Sequence, residues 1–292
     1  MTINQKAYLS LTLGALAISL APIFVRLSEL QPSATAFYRL SLCVPVLFFW
    51  IISTGEKTTL VKKFKFNRQD VLILSLPGMF FAGDMGFWHW SIMYTTVANA
   101  TLFANFAPIF VTLASFLFFH ERFSRLFILA LIVATTGMII LMGTSAKSGG
   151  TFLTGDALGI IAAVFYAAYL LSVGRLRGKN STLLIMFWSS LSASIVLLPV
   201  SILAGESLMP DTANGWVILF ALAWVSHIGG QGLIAYALAH LSTAISSVSL
   251  LVQPVVAAIL AWILFSEALS VIQIIGGITV LLGIFLARRA SA

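Results

Sequence analysis

The residues able to do chemistry in this 292-residue chain lie inside long apolar runs. Asp84 and Trp88 stand four apart in Gly83-Asp-Met-Gly-Phe-Trp-His-Trp-Ser-Ile-Met-Tyr94. His227 and Gln231 stand four apart beside Gly229, Gly230 and Gly232. On a helix, a spacing of four puts two side chains on one face. Thr101, Asn105 and Pro108 form one such stripe, and Ser246, Ser249 or Leu250, and Gln253 form another. Tyr166 and Tyr169 are surrounded by Ala162, Ala163, Ala167 and Ala168. A carboxylate such as Asp84 can hold an ammonium group or carry a proton. A histidine such as His227 changes charge near neutral pH. Tyrosines among alanines offer a flat apolar wall with a hydroxyl handle. Pro108 and Pro254 each remove a backbone hydrogen bond, which frees the carbonyls of Ala104 and Leu250 to bind a ligand or to let the helix bend.

Each feature also has a structural reading. Depth separates some of the two, because a helix rises about 1.5 Å per residue. Asp84 lies about 20 Å along its run from Asp70, still within a hydrocarbon layer of about 30 Å. It either pairs with Arg39, which lies about 8 Å into the preceding run, or faces a cavity. Trp88, His89 and Trp90 are about 26–29 Å along, near the outer interface. There, His89 and Trp90 read as an aromatic belt, while Trp88 shares the face of Asp84. His227 is about 17 Å into its run, near the midplane. The glycines around it read as helix packing. Hydrogen bonding between helices competes with cavity lining for the Thr101 and Ser246 stripes, and plain packing does so for Tyr169. Glu121 and Glu267 each precede a serine by three residues and read as loop architecture.

Composition sets the surroundings of these residues. Hydrophobic residues make up 60% of the chain and charged residues 9%, against about 25% charged in a soluble domain. The chain is therefore an integral membrane protein, and its long unbroken apolar runs make it all-α rather than a barrel. Ten runs are long enough to span: 7–27, 34–53, 71–93, 97–119, 125–143, 155–174, 182–203, 216–238, 242–265 and 270–287. The first reads as a span rather than a cleaved leader. With the N-terminus inside, thirteen of the sixteen Lys and Arg residues fall in cytoplasmic segments, while Arg26 and Lys147 fall outside. That asymmetry places both termini in the cytoplasm. A net charge of +7 is thus membrane topology rather than a nucleic-acid surface. The single cysteine, Cys43, excludes an intrachain disulfide.

The chain repeats itself. A shift of 146 residues carries Pro108 onto Pro254, Glu121 onto Glu267, and Gly83, Gly86 and Gly137 onto Gly229, Gly232 and Gly283. The repeat holds five spans, an odd number, so the second copy is expected upside-down relative to the first. The expected organisation is a first five-helix repeat over 1–143, a linker over 144–154 and a second, inverted repeat over 155–289, around a central cavity.

Ala98–Met142 contains Ala107-Pro108 and Phe119-His-Glu121. Ser242–Ala287 contains Gln253-Pro254 and Phe265-Ser-Glu267, and Phe37-Tyr-Arg39 stands in the second span. In these motifs the chain resembles the ten-helix EamA-type branch of the drug/metabolite transporter superfamily, over essentially its whole length. In size and aromatic content it most resembles the bacterial aromatic amino-acid exporters. The resemblance implies a secondary transporter in the bacterial inner membrane that exports small metabolites, foremost aromatic or other neutral amino acids, by alternating access. It implies a small-molecule substrate, no cofactor and no metal; a monomer suffices, and proton coupling through Asp84 or His227 stays open. Cationic drugs are the rival substrate, because Asp84 and the aromatics suit a cation. Phosphorylated substrates are disfavoured, because Arg39 is the one intramembrane cation. An intramembrane enzyme is disfavoured too. His120-Glu-Arg-Phe123 lacks the second histidine of a zinc protease, and no second aspartate joins Asp84 in the membrane core. A channel or structural subunit is disfavoured as well, because no filter-like loop or ring of charges appears in the sequence.

Overall fold

The computed structural model describes residues 2–54, 68–95, 97–143, 152–265 and 269–290. Lys57, Lys62, Lys63, Lys65, Lys147 and Glu267 lie outside them. The helices are α1 Ile3–Ser19, α2 Ala21–Leu27, α3 Pro32–Ser41, α4 Cys43–Ser53, α5 Arg68–Tyr94, α6 Val97–Ala104, α7 Ala107–Phe119 and α8 Arg125–Gly143. They continue with α9 Phe152–Leu176, α10 Thr182–Leu203, α11 Ala213–Ala221, a π-helical segment Leu222–Gln231, α12 Gly232–Ala237, α13 Thr243–Leu250, α14 Val252–Phe265 and α15 Val271–Arg289. Among the described residues, nine stretches are long and apolar enough to cross a bilayer, and Arg125–Leu141 is a shorter apolar helix. The result is an all-α, multi-pass membrane fold of about ten helices. Exposed side chains such as Phe49, Phe116, Phe118, Ile195, Trp262 and Ile278 form the apolar exterior that a bilayer must cover.

Local chemistry sets the helix ends. Thr2, Ser181, Thr212, Ser242 and Ser270 each cap a helix through the side-chain oxygen, and Thr2 and Ser270 complete capping boxes with Gln5 and Gln273. Four spans are interrupted, each two or three residues before a proline. The breaks fall at Leu20 before Pro22, Leu42 before Pro45, Asn105 and Phe106 before Pro108, and Leu251 before Pro254. Each proline removes the backbone bond that would carry the helix through. Pro77 and Pro199, by contrast, lie inside continuous helices. α9 begins at Phe152, inside the expected linker.

The long α5 packs against α9 and α10, α1 packs against the π segment and α12, and α8 packs against α15. The last pair approaches backbone to backbone. A Cβ on Gly137 would lie 2.5 Å from the Val280 amide nitrogen, and a Cβ on Gly283 would lie 2.5 Å from that of Ala134. These contacts are each other's images under the 146-residue shift, so the α8–α15 interface is self-complementary in the manner of a two-fold contact. Packing accounts for only part of the glycine cluster near His227. A Cβ on Gly230 would meet Ile18 at 2.5 Å, whereas nothing lies within 4 Å of one on Gly232.

At one membrane edge, two loops cap each other's helices. Glu29, between α2 and α3, accepts hydrogen bonds from the amides of Asp211 and Thr212 at 2.8 and 3.0 Å, and from the Thr212 hydroxyl. Glu206, between α10 and α11, accepts the amides of Ser33 and Ala34 at 3.3 and 2.6 Å. The Tyr38 hydroxyl donates to the Leu208 carbonyl at 2.6 Å.

Candidate functional site

Five spans converge on one buried polar cluster. α3 brings Arg39, α5 brings Phe81, Asp84 and His89, α9 brings Tyr166 and Tyr169, the π segment brings His227 and Gln231, and α14 brings Gln253. Arg39 is 7% exposed and Asp84 5%. The rings form a connected wall. Phe81 is 4.8 Å from Tyr169 and 5.6 Å from His227 between centroids, and Tyr169 stacks on Tyr166 at 5.9 Å and 17°. The Arg39 guanidinium sits 5.7 Å from the Phe81 centroid, where the ring quadrupole attracts it. The Tyr166 hydroxyl is in polar contact with the side-chain amides of Gln231 and Gln253. His227 shares a hydrogen bond with Ser190 of α10, Nε2 to Oγ at 3.1 Å.

This cluster holds unmet polar atoms. Among the described residues, Arg39 Nε, His89 Nδ1, His227 Nδ1 and Gln231 Oε1 have no hydrogen-bond partner. Buried polar groups are paired in the great majority of cases, so four orphans in one cluster call for a physical reason. Arg39 and Asp84 act on each other electrostatically. Yet among the described residues they form no ion pair, which would require a nitrogen within 4.0 Å of an Asp84 oxygen.

The expected candidates divide. Asn105, Pro108, Tyr166 and Gln253 line a small cavity with Ser247 and Leu250. Its volume of about 20 Å³ holds about one water. Thr101 lies one turn before, its carbonyl accepting from the Asn105 amide at 2.8 Å. Ser246 is buried but does not line this cavity; Ser247 does. Trp88 is half-buried, with its ring 5.0 Å from that of His89. His89 corrects the belt reading. It is 5% exposed, whereas Trp90 is 51% exposed. Depth put both near the headgroups, but angle around α5 turns His89 inward to within electrostatic reach of Arg39.

The model of the EamA-like transporter family matches residues 5–143 and again residues 153–289. The chain belongs to the EamA-like transporter family. It is a small-molecule secondary transporter of the drug/metabolite superfamily, in a family whose members are not enzymes. Among its relatives, the pseudopaline exporter CntI of Pseudomonas aeruginosa is 26% identical over 77% of this chain and 78% of that one. An uncharacterized transporter of Archaeoglobus fulgidus is 25% identical over 97% of both chains. A probable terminal-alkyne amino-acid exporter of Streptantibioticus cattleyicolor is 26% identical over 70% of this chain and 68% of that one. A solved crystal structure superposes with a TM-score of 0.81 over 99% of both chains at 17% identity, a likeness of fold alone.

In this EamA-like transporter the sequence reading missed Phe81, His89, Cys43 and Ser190. Cys43 lies one turn from Arg39 and donates to its carbonyl at 3.0 Å and to that of Ala223 at 3.2 Å. Nothing in an apolar run distinguishes such a cysteine or phenylalanine from core. Phe81 alone carried a signal, as the position that the 146-residue shift carries onto His227.

Proposed function

We propose that this transporter exports small neutral metabolites, foremost aromatic and other neutral amino acids, across the inner membrane by alternating access. The observation that carries the reading is the ring wall of Phe81, Tyr169 and Tyr166, bordered by the amides of Gln231 and Gln253. A flat apolar side chain stacks on such a wall, while the amides and the Tyr166 hydroxyl orient a polar end. The wall draws on both halves of the chain, taken as 1–143 and 155–289. If the halves are inverted, rocking one against the other opens the site to either side in turn. Breaks at Asn105 and Phe106, at Leu251 and along the π segment flank the site, where helices can pivot. The site is complete within one chain, so a monomer suffices, and positive-inside asymmetry favours cytoplasmic termini. Two relatives bear names that denote exporters, one of them of an amino acid.

Purified protein in liposomes tests the reading. Labelled phenylalanine should undergo counterflow faster than labelled lysine or glucose, and repeating the assay across a pH gradient reports whether a proton is exchanged. Absence of counterflow for every amino acid would end the amino-acid reading. Asp84, buried without an ion pair among the described residues, favours a cationic drug as the second reading. Transport of a lipophilic cation without phenylalanine would select it.

A further inference from the structure

We infer that Asp84 and Arg39 are the two poles of a zwitterion site, Asp84 taking a substrate's ammonium group and Arg39 its carboxylate. The inference rests on the amino-acid reading above and adds that both charged groups of the substrate must be free.

The argument starts from cost. Each ionisable group in a membrane core must be compensated, and a mutual ion pair is the simplest way. Arg39 and Asp84 share one cluster, both are more than nine-tenths buried, and they do not pair among the described residues. Arg39 Nε also lacks an acceptor. A guanidinium presents a planar fork of donors that a carboxylate fills with two parallel bonds. An ammonium group brings three donors. Asp84 offers a charged acceptor, and Gln231 Oε1 is an acceptor with no partner among the described residues. The ring wall supplies apolar surface for the rest of the ligand.

Ligands of other charge types leave one pole exposed. An amine satisfies Asp84 and leaves Arg39 orphaned; an acid does the reverse. A neutral ligand leaves both. A zwitterion meets both poles and keeps the site and its cargo neutral in sum, which suits passage through the membrane core. Such a site rejects analogues strongly, because each missing group leaves a buried charge uncompensated.

The test is competition against phenylalanine counterflow in liposomes, using L-phenylalanine, phenethylamine and 3-phenylpropionate. Each single-charge analogue should compete about tenfold or more weakly than phenylalanine, the loss expected for one charge-assisted contact. Asp84→Asn should narrow the gap between phenylalanine and 3-phenylpropionate, and Arg39→Gln should narrow the gap between phenylalanine and phenethylamine. These are ratios within one variant, so a merely unstable variant does not move them. Wild-type counterflow with equal competition by all three ligands would overturn the zwitterion site and leave the amino-acid reading standing, as would variants that lower rate with unchanged ratios. Should phenylalanine not exchange at all, the preference for aromatic amino acids falls first. The poles are then tested by thermal stabilisation of the detergent-purified protein with alanine, leucine, methionine and histidine against the amines and acids lacking one group. Stabilisation by the zwitterions alone supports the poles; equal or absent stabilisation overturns them.

Discussion

Phe81 and His227 stand 146 residues apart in sequence, and their ring centroids lie 5.6 Å apart in space. The same shift relates Pro108 to Pro254 and Gly137 to Gly283. Two positions related by a two-fold operation can touch only near its axis. The reciprocal Gly137–Val280 and Ala134–Gly283 contacts obey the same operation. The polar cluster thus holds one pair of shift-related positions in direct contact, a phenylalanine in the first half facing a histidine in the second.

That pair gives the first prediction. His227→Phe keeps a ring against Phe81 but removes the bond to Ser190. The fold should survive, as judged by a monodisperse elution profile, while phenylalanine counterflow falls about tenfold. Ser190→Ala should show part of the same loss, because it leaves the Nε2 of a buried histidine without its partner, at about 1–3 kcal/mol. Wild-type transport by His227→Phe would reduce this histidine to packing.

The α8–α15 contact gives the second. Gly137→Ala and Gly283→Ala each place a Cβ against backbone that cannot swing aside, at 2.5 Å. Each should destabilise the detergent-purified protein by about 1–3 kcal/mol, and by similar amounts because the contacts are equivalent. Gly86→Ala, with nothing within 4 Å of its Cβ, is the control and should be neutral or slightly stabilising in a thermal unfolding assay. Unequal losses at 137 and 283 would count against the two-fold contact.

Much of the fold was legible because lipid imposes a simple rule. Apolar runs of sufficient length must be helices, and ten such runs were countable from composition alone. The breaks near Pro108 and Pro254 sat in polar stripes that the repeat places in both halves; those before Pro22 and Pro45 have no such repeated stripe. The π segment was hidden for a related reason, as its extra residue per turn leaves no mark on an apolar alphabet. For the candidate cluster, spacing singled out Asp84, His227 and Gln231, and alanine surroundings singled out Tyr166, because polarity is rare at that depth. It misjudged His89 because depth fixes position along the axis and leaves the angle around it free. Cys43 was illegible because it is a core residue in type and joins the cluster only through what it touches, and Phe81 was marked only by its place in the repeat.

Glu206 gives the third prediction. Its carboxylate satisfies two amides at the start of α3, Ser33 and Ala34, that no turn of helix can reach. Glu206→Ala should therefore cost about 1 kcal/mol, the usual loss for a helix cap. Glu206→Gln should cost less, since one amide oxygen can still accept. Thermal unfolding in detergent reads both. Because the cap belongs to the loop edge rather than the polar cluster, the analogue ratios in the competition assay should stay at wild-type values.

The partner carboxylate, Glu29, adds a dependence on pH. The Thr212 hydroxyl first, then the Thr212 and Asp211 amides, donate to it and hold its carboxyl below the usual glutamate range. A carboxyl lowered in the folded state binds fewer protons there than in the unfolded chain, so its contribution to stability is present above the unfolded value of about 4.3. That contribution fades as pH falls through the folded value, because a protonated carboxyl is a poorer acceptor for three donors. Between pH 7 and pH 5, wild-type protein and Glu29→Gln should keep a constant difference in unfolding temperature. Below about pH 4 the curves should converge. The sign is specific: a gap that widened on acidification would mean that Glu29 carries a proton in the folded protein and donates one of these bonds.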